Sequence, residues 1–408
     1  MVQTPTTSET FFGLDVSDLA FIKRSLISIR RKISKRFFLL EFGVDELTYG
    51  EARVSKDQVF CTKINRIKLD KDAIEKGSPT DPSAMGEFLK QIIEEENLWA
   101  HRVAITLPPE ASISRIIYLP SQLNYQEAID FISNPTKSGF QYPIALAQTD
   151  FDIVPINCLP TNKENKTKPY FLTCIPSKLI ENIVSTISKA DLELHSLDIA
   201  YCSIGRLANT EINKLKSNQA LIILELNLEC SHIYIFSSKG PIYVNALAAI
   251  RPFETTNNYN SSLSLEESIV SSEDYHTISH LDLKVLLAEL NKEIENIKIN
   301  FKLEISGILL TGINSSHPGI SDFFKESLKL YTSILRSMSS DEIADISHPK
   351  TICVQELNRL VGLSLTMTEP ERLLSDDTDK DNDVSSLNLQ NDEIKESIKT
   401  KELKNKDN

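Results

Sequence analysis

One order of elements occurs twice in this chain, and few folds can absorb that repetition. In the first half, 37–42, 47–54 and 58–69 read as β-strands by their apolar runs and alternation, with a turn at 43–46. A polar linker broken by Pro79 and Pro82 follows. Next comes a helix over 83–97, with Met85, Phe88, Leu89, Ile92 and Ile93 at helical spacing, and then a strand over 102–107 closed by Pro108 and Pro109. The stretch 219–249 opens the same order again. It holds a mostly apolar strand, an alternating strand around Ile233 and Ile235, a Lys239-Gly240-Pro241 turn and a third strand. A polar loop, a helix over 281–302 and a strand over 305–310 complete the repeat. Two lobes of one α/β plan are the simplest reading.

Between the halves, a strand at 170–175, a helix at 177–190, a strand at 192–199 and a helix at 200–216 read as βαβα completing the first lobe. The segment 112–159 breaks the alternation. Its strand (114–119), helix (125–133), corner at Gln141-Tyr142-Pro143 and strand (149–156) predict a small inserted subdomain. The expected organisation is a basic arm over 1–36, first-lobe segments over 37–111 and 160–217, the insertion at 112–159, a second lobe over 218–368 with a short polar loop near 250–279, and an acidic disordered tail over 369–408.

With 408 residues and 41% hydrophobic content the chain can bury two ordinary cores. A net charge of -13 argues against a general nucleic-acid binder. Six cysteines without CxxC spacing read as reduced thiols of a cytoplasmic protein, and no apolar run reaches the roughly 20 residues of a membrane span. The basic arm places Ile22, Leu26, Ile29 and Ile33 on one helical face among Lys23, Arg24, Arg30, Arg31 and Lys32. Such a segment lies on an anionic membrane surface or packs on its own domain with a solvated basic face. His276 and His280 are four apart in a Ser-rich stretch and read as a surface pair rather than a zinc site.

Several runs carry a family resemblance by their order. They are Phe88-Leu-Lys-Gln-Ile-Ile-Glu-Glu-Glu-Asn-Leu-Trp, Arg102-Val-Ala-Ile-Thr-Leu-Pro-Pro and Arg115-Ile-Ile-Tyr-Leu-Pro, then Tyr142-Pro and Pro176-Ser-Lys-Leu-Ile-Glu, and finally Leu309-Leu-Thr-Gly and Val361-Gly-Leu-Ser-Leu. Together, over 37–367, they resemble the PilM family of type IV pilus assembly proteins. The resemblance implies a two-lobed actin-like ATPase fold, related to the division protein FtsA, with a small inserted subdomain in the first lobe. It also implies a cytoplasmic position peripheral to the inner membrane and a bitopic PilN-like partner. That partner's cytoplasmic tail would lie in a groove beside the insertion, where Arg115, Tyr142 and Pro143 fall. A link to the pilus motor ATPase is implied as well.

The family's nucleotide loops, which would take ATP and Mg²⁺, fall here on Glu41, Gly43, Glu225, Asn227 and Gly312. They look eroded. Backbone that cradles a phosphate needs small residues, whereas 43–46 and 225–229 are rich in carboxylates and bulk, and Ile313 stands where the family has a second glycine. Glu41 and Glu225 could replace metal-binding aspartates, but the expectation is strand-end carboxylates facing solvent, in a scaffold that binds ATP weakly or not at all. The alternative is an actin-family ATPase acting in division or as a small-molecule kinase.

Overall fold

The structure is a computed structural model that describes residues 36–55, 58–134, 136, 148–156, 158–159, 166–251, 278–317, 319–336 and 354–367. For 10–11, 14–15, 268–269, 316 and 354 the backbone alone is described. Most of the arm before residue 36, most of the 250–279 loop, the tail, Tyr142, Pro143 and His276 lie outside the described residues.

The first lobe opens with β1 (Arg36–Phe42), β2 (Glu46–Ser55) and β3 (Gln58–Lys68), then α1 (Pro82–Glu95) and β4 (Arg102–Leu107). α1 begins where the sequence predicts. Asp81 caps it by accepting from the Ser83 and Ala84 amides, with Pro82 in the first turn, where no amide is needed. β5 (Ile113–Pro120), α2 (Tyr125–Ser133), β6 (Thr149–Pro155) and β7 (Thr167–Pro176) come next. A reciprocal Asn124/Glu127 capping box starts α2. α3 (Ser177–Lys189), β8 (Glu193–Ile199) and α4 (Ala200–Leu207) lead out of the lobe.

The second lobe repeats the plan with β9 (Gln219–Glu225), β10 (Ser231–Ser237), β11 (Gly240–Leu247), α5 (His280–Asn296), β12 (Glu304–Thr311), α6 (Ile320–Leu328) and β13 (Thr332–Ile334). α7 (Asn358–Ser364) follows. The two main sheets have equivalent orders, β3-β2-β1-β4-β8 and β11-β10-β9-β12-β13. In each, the first three strands are antiparallel neighbours and the next two add in parallel. The repeat extends to single residues. Glu41, one residue before the end of β1, pairs with Thr106 of β4, and Glu225, the last residue of β9, pairs with Thr311 of β12.

Three sequence assignments change. β7 is the middle strand of a three-stranded sheet with β5 and β6, so the strand read as part of the first-lobe sheet belongs with the inserted segment. Ile117 and Leu119 of β5, Tyr170 and Leu172 of β7 and Ala128 and Ile132 of α2 form its core. Without β7, β5 and β6 would have no partner and the amphipathic α2 no complete sheet to cover.

The other two changes are helices that cross over. α4, assigned to the first lobe, buries Tyr201 and Ile204 against the second-lobe core of Ile222, Tyr234 and Phe236. α7, assigned to the second, covers the first-lobe sheet, packing Leu360, Val361 and Leu363 on Leu39, Ala52, Cys61 and Ala104. The opposite face of that sheet is covered by α1 and α3 through Leu89, Ile92, Ile183 and Ile187. Both faces of each main sheet are apolar, so each needs a second cover, and α4 and α7 supply it where they cross.

Candidate functional site

Arg359, on α7 where the helix passes between the ends of β1 and β9, joins the two lobes. Its Nε donates to Glu225 Oε1 at 2.7 Å and its Nη2 to Glu225 Oε2 at 2.8 Å, a bidentate pair. Its Nη1 donates to Glu41 Oε1 at 3.0 Å. Tyr234 adds a 2.6 Å hydrogen bond to Glu225 Oε2. The Glu225 side chain is 5% exposed and that of Glu41 13%. The expectation that these carboxylates face solvent is therefore wrong: Glu225 is buried and Glu41 mostly covered, each accompanied by the Arg359 guanidinium.

Electrostatics differ between the two. Burial pushes the Glu225 carboxyl upward, but the charge and bonds of Arg359, with His232 and Tyr234, hold it below the usual range. At Glu41 burial outweighs the single Arg359 bond, and the nearby Glu225 charge adds to it, so its carboxyl lies above the usual range. Neighbouring bonds anchor α7. Asn358 Nδ2 donates to Thr311 Oγ1 at 2.8 Å, tying it to the second lobe, and Arg66 of β3 pairs with Glu356 and Glu46.

The remaining loop residues close on protein rather than on open space. Gly43 forms a tight turn, its amide donating to Glu46 O at 2.9 Å. Leu226 N donates to Thr311 O, Asn314 N to Leu226 O and Ile250 N to Asn227 O. Gly312 follows β12 at φ 87 and ψ 173, a region open essentially to glycine. A Cβ there would stand 2.7 Å from both Leu226 O and Asn227 Oδ1. Gly312→Ala is accordingly expected to destabilise the second lobe by about 1–3 kcal/mol, read as an earlier urea transition.

Of the residues assigned to partner binding, Arg115 is exposed on β5, on the α2 side of the sheet. Trp99, at the end of the Phe88–Trp99 run, is 37% exposed. His280 starts α5 with its ring edge-on to Phe323, 6.0 Å between centroids. Arg359 and His232 escaped the sequence reading. For Arg359 a signal existed: one cation in the apolar run 357–363 needs a buried anion.

The paired sheets, crossed helices and strand-end cleft define an actin-like fold. Among solved structures the chain is similar to a PilM-PilN type IV pilus biogenesis complex, at 14% identity over 83% of this chain and 99% of that chain, with a TM-score of 0.58. Weaker likenesses include a Bacteroides thetaiotaomicron protein with an actin-like ATPase fold (9% identity, 84% and 98% coverage, TM-score 0.42). MreB5 of Spiroplasma citri bound to AMPPNP is another (12% identity, 80% and 94% coverage, TM-score 0.40). No curated protein matches the sequence. The profile of type IV pilus assembly protein PilM matches residues 42–248, just over half of the 408 residues, and the chain belongs to that family. Among the described residues no helix is long and apolar enough to cross a membrane.

Proposed function

We propose that this chain is a non-catalytic scaffold of the type IV pilus assembly machinery on the cytoplasmic side of the inner membrane. It binds the cytoplasmic tail of a PilN-like protein and links the alignment complex to the motor. The observation that carries the non-catalytic part is Arg359. Two carboxylates at the ends of equivalent strands are suited to a metal ion and its bound phosphate, and here a protein cation already neutralises both. A nucleotide's phosphates would have to displace Arg359 and would then face the Glu41 and Glu225 carboxylates with no cation between, near a third carboxylate, Glu110, that also feels the Arg359 charge. The family supports the pilus role, and the likeness to a PilM-PilN complex supports the partner.

Calorimetric titration with Mg-ATP is expected to give no saturable heat. Micromolar affinity that disappears in Glu225→Ala would establish an actin-family ATPase instead. Affinity purification of the tagged chain from gently solubilised native membranes, with mass spectrometry, tests the partner. Recovery of PilN-like components, reduced by Arg115→Glu or Tyr142→Ala, is the expected result. Recovery of division proteins would overturn it.

A further inference from the structure

Beside the Arg359 pair, the lobes meet a second time through side chains of different chemistry. Glu110 lies in the 3₁₀ turn Pro109–Ala111 that follows β4 in the first lobe. Cys230 and His232 flank Ser231 at the start of β10 in the second, two residues apart on an extended chain and therefore on one face. Glu110 Oε1 stands 3.0 Å from His232 Nε2, and one donor atom from each of Glu110, Cys230 and His232 lies within 4.8 Å of the others. A carboxylate oxygen, a thiol sulfur and an imidazole nitrogen are the donors that zinc takes. A tetrahedral ion with oxygen and nitrogen at about 2.0–2.1 Å spaces those two atoms about 3.3 Å apart, close to the spacing found here.

The other imidazole nitrogen supplies an independent observation. His232 is 4% exposed, and its Nδ1 is buried with no hydrogen-bond partner. Glu225 Oε2 lies 3.9 Å from it. A metal-bound histidine usually donates from its far nitrogen to a carboxylate, which fixes the ring and its tautomer. Ligation at Nε2 would leave the proton on Nδ1, aimed at Glu225, and a small closure would satisfy an atom that is otherwise orphaned. The ring is already held, stacked on Tyr234 at an interplanar angle of 4°. Glu110, with its side chain 51% exposed, opens the group to solvent, so an ion has a path in and a water can complete the shell.

We propose that Glu110, Cys230 and His232 form a zinc site that clasps the two lobes. On binding, Cys230 releases its thiol proton to solvent and coordinates as thiolate, His232 gives up the Nε2 proton it now shares with Glu110, keeping one proton on Nδ1, and coordinates through Nε2, and Glu110 coordinates through one oxygen. The proposal does not depend on whether ATP binds, and the scaffold reading stands or falls without it.

The test uses the full chain stripped of metal with a chelator. Zn²⁺ is titrated against a chromophoric competitor, and Co²⁺ serves as a spectroscopic probe. One equivalent of tight binding is expected, with a thiolate-to-cobalt charge-transfer band in the near ultraviolet. Cys230→Ser should abolish the band. Glu110→Gln, at an exposed position that should not disturb folding, should weaken Zn²⁺ by about tenfold or more, since even outer-shell losses cost such sites that much. Cys202→Ser should leave affinity and band unchanged. A wild-type cobalt complex without the thiolate band, or equal Zn²⁺ affinity in wild type, Cys230→Ser and Glu110→Gln, would overturn the proposal.

Discussion

Arg359→Ala is expected to lower folding stability by about 3–5 kcal/mol, because it strands two carboxylates in a site built around one guanidinium. The loss should not reflect the missing contacts alone. A buried ion pair contributes little net stability, since desolvation offsets most of the attraction, whereas half of such a pair is costly. Adding Glu41→Gln and Glu225→Gln to Arg359→Ala should therefore recover much of the stability that the single substitution loses. Urea transitions of the single, double and triple variants measure this directly. If Arg359→Ala unfolds at the wild-type midpoint, solvent already relaxes the site and the account of the cleft fails. Mg-ATP should still not bind to the single variant, because Leu226, Asn227 and Gly312 remain closed on backbone partners.

Gly362→Ala is expected to be as damaging for a different reason. A Cβ at Gly362 would meet Ser203 O at 2.0 Å and Ser203 C at 2.6 Å, so α7 and α4 cross with nothing but hydrogen between their backbones. A side chain can swing aside, but a helix backbone cannot. Extra methylenes in a packed interior typically cost about 1–3 kcal/mol, and here relief requires the two helices to separate. Because α4 rests on the second-lobe core and α7 on the first, that separation would also loosen the lobes from each other. Thermal denaturation should show a lower or broadened transition. Unchanged melting would mean that the crossing is wider than described.

Much of the fold was legible because both lobes use strands whose sequence betrays their burial. Ala-Leu-Ile-Ile-Leu in β9 can only be a central strand or a fully buried helix, and its five apolar residues are too few for the latter. The ends of β1 and β9 are legible for the same reason, whereas it is the family resemblance that assigns Glu41 and Glu225 to its two nucleotide loops. What lay beyond sequence was everything decided by long-range pairing. Nothing local tells β7 to join β5 and β6 rather than the first-lobe sheet, since both options offer it apolar neighbours. Likewise, periodicity identifies the apolar stripe of α7 but not which sheet it covers. The clearest missed clue was chemical: Arg359 among apolar neighbours needed a buried anion, and two strand-end glutamates were the available candidates.

The position of α7 also sets an order of events during synthesis. Arg359 and Glu41 are 318 residues apart, and Leu360, Val361 and Leu363 cover apolar residues of β1, β2, β3 and β4. A nascent chain can complete one face of its first sheet early, through α1 and α3, but the other face waits until nearly the whole described chain has left the ribosome. Until then an apolar sheet surface faces the cell, a condition that favours aggregation and engagement by chaperones. Truncation before residue 357 should therefore yield a protein that is made but rarely recovered in soluble form, even though both five-stranded sheets remain encoded.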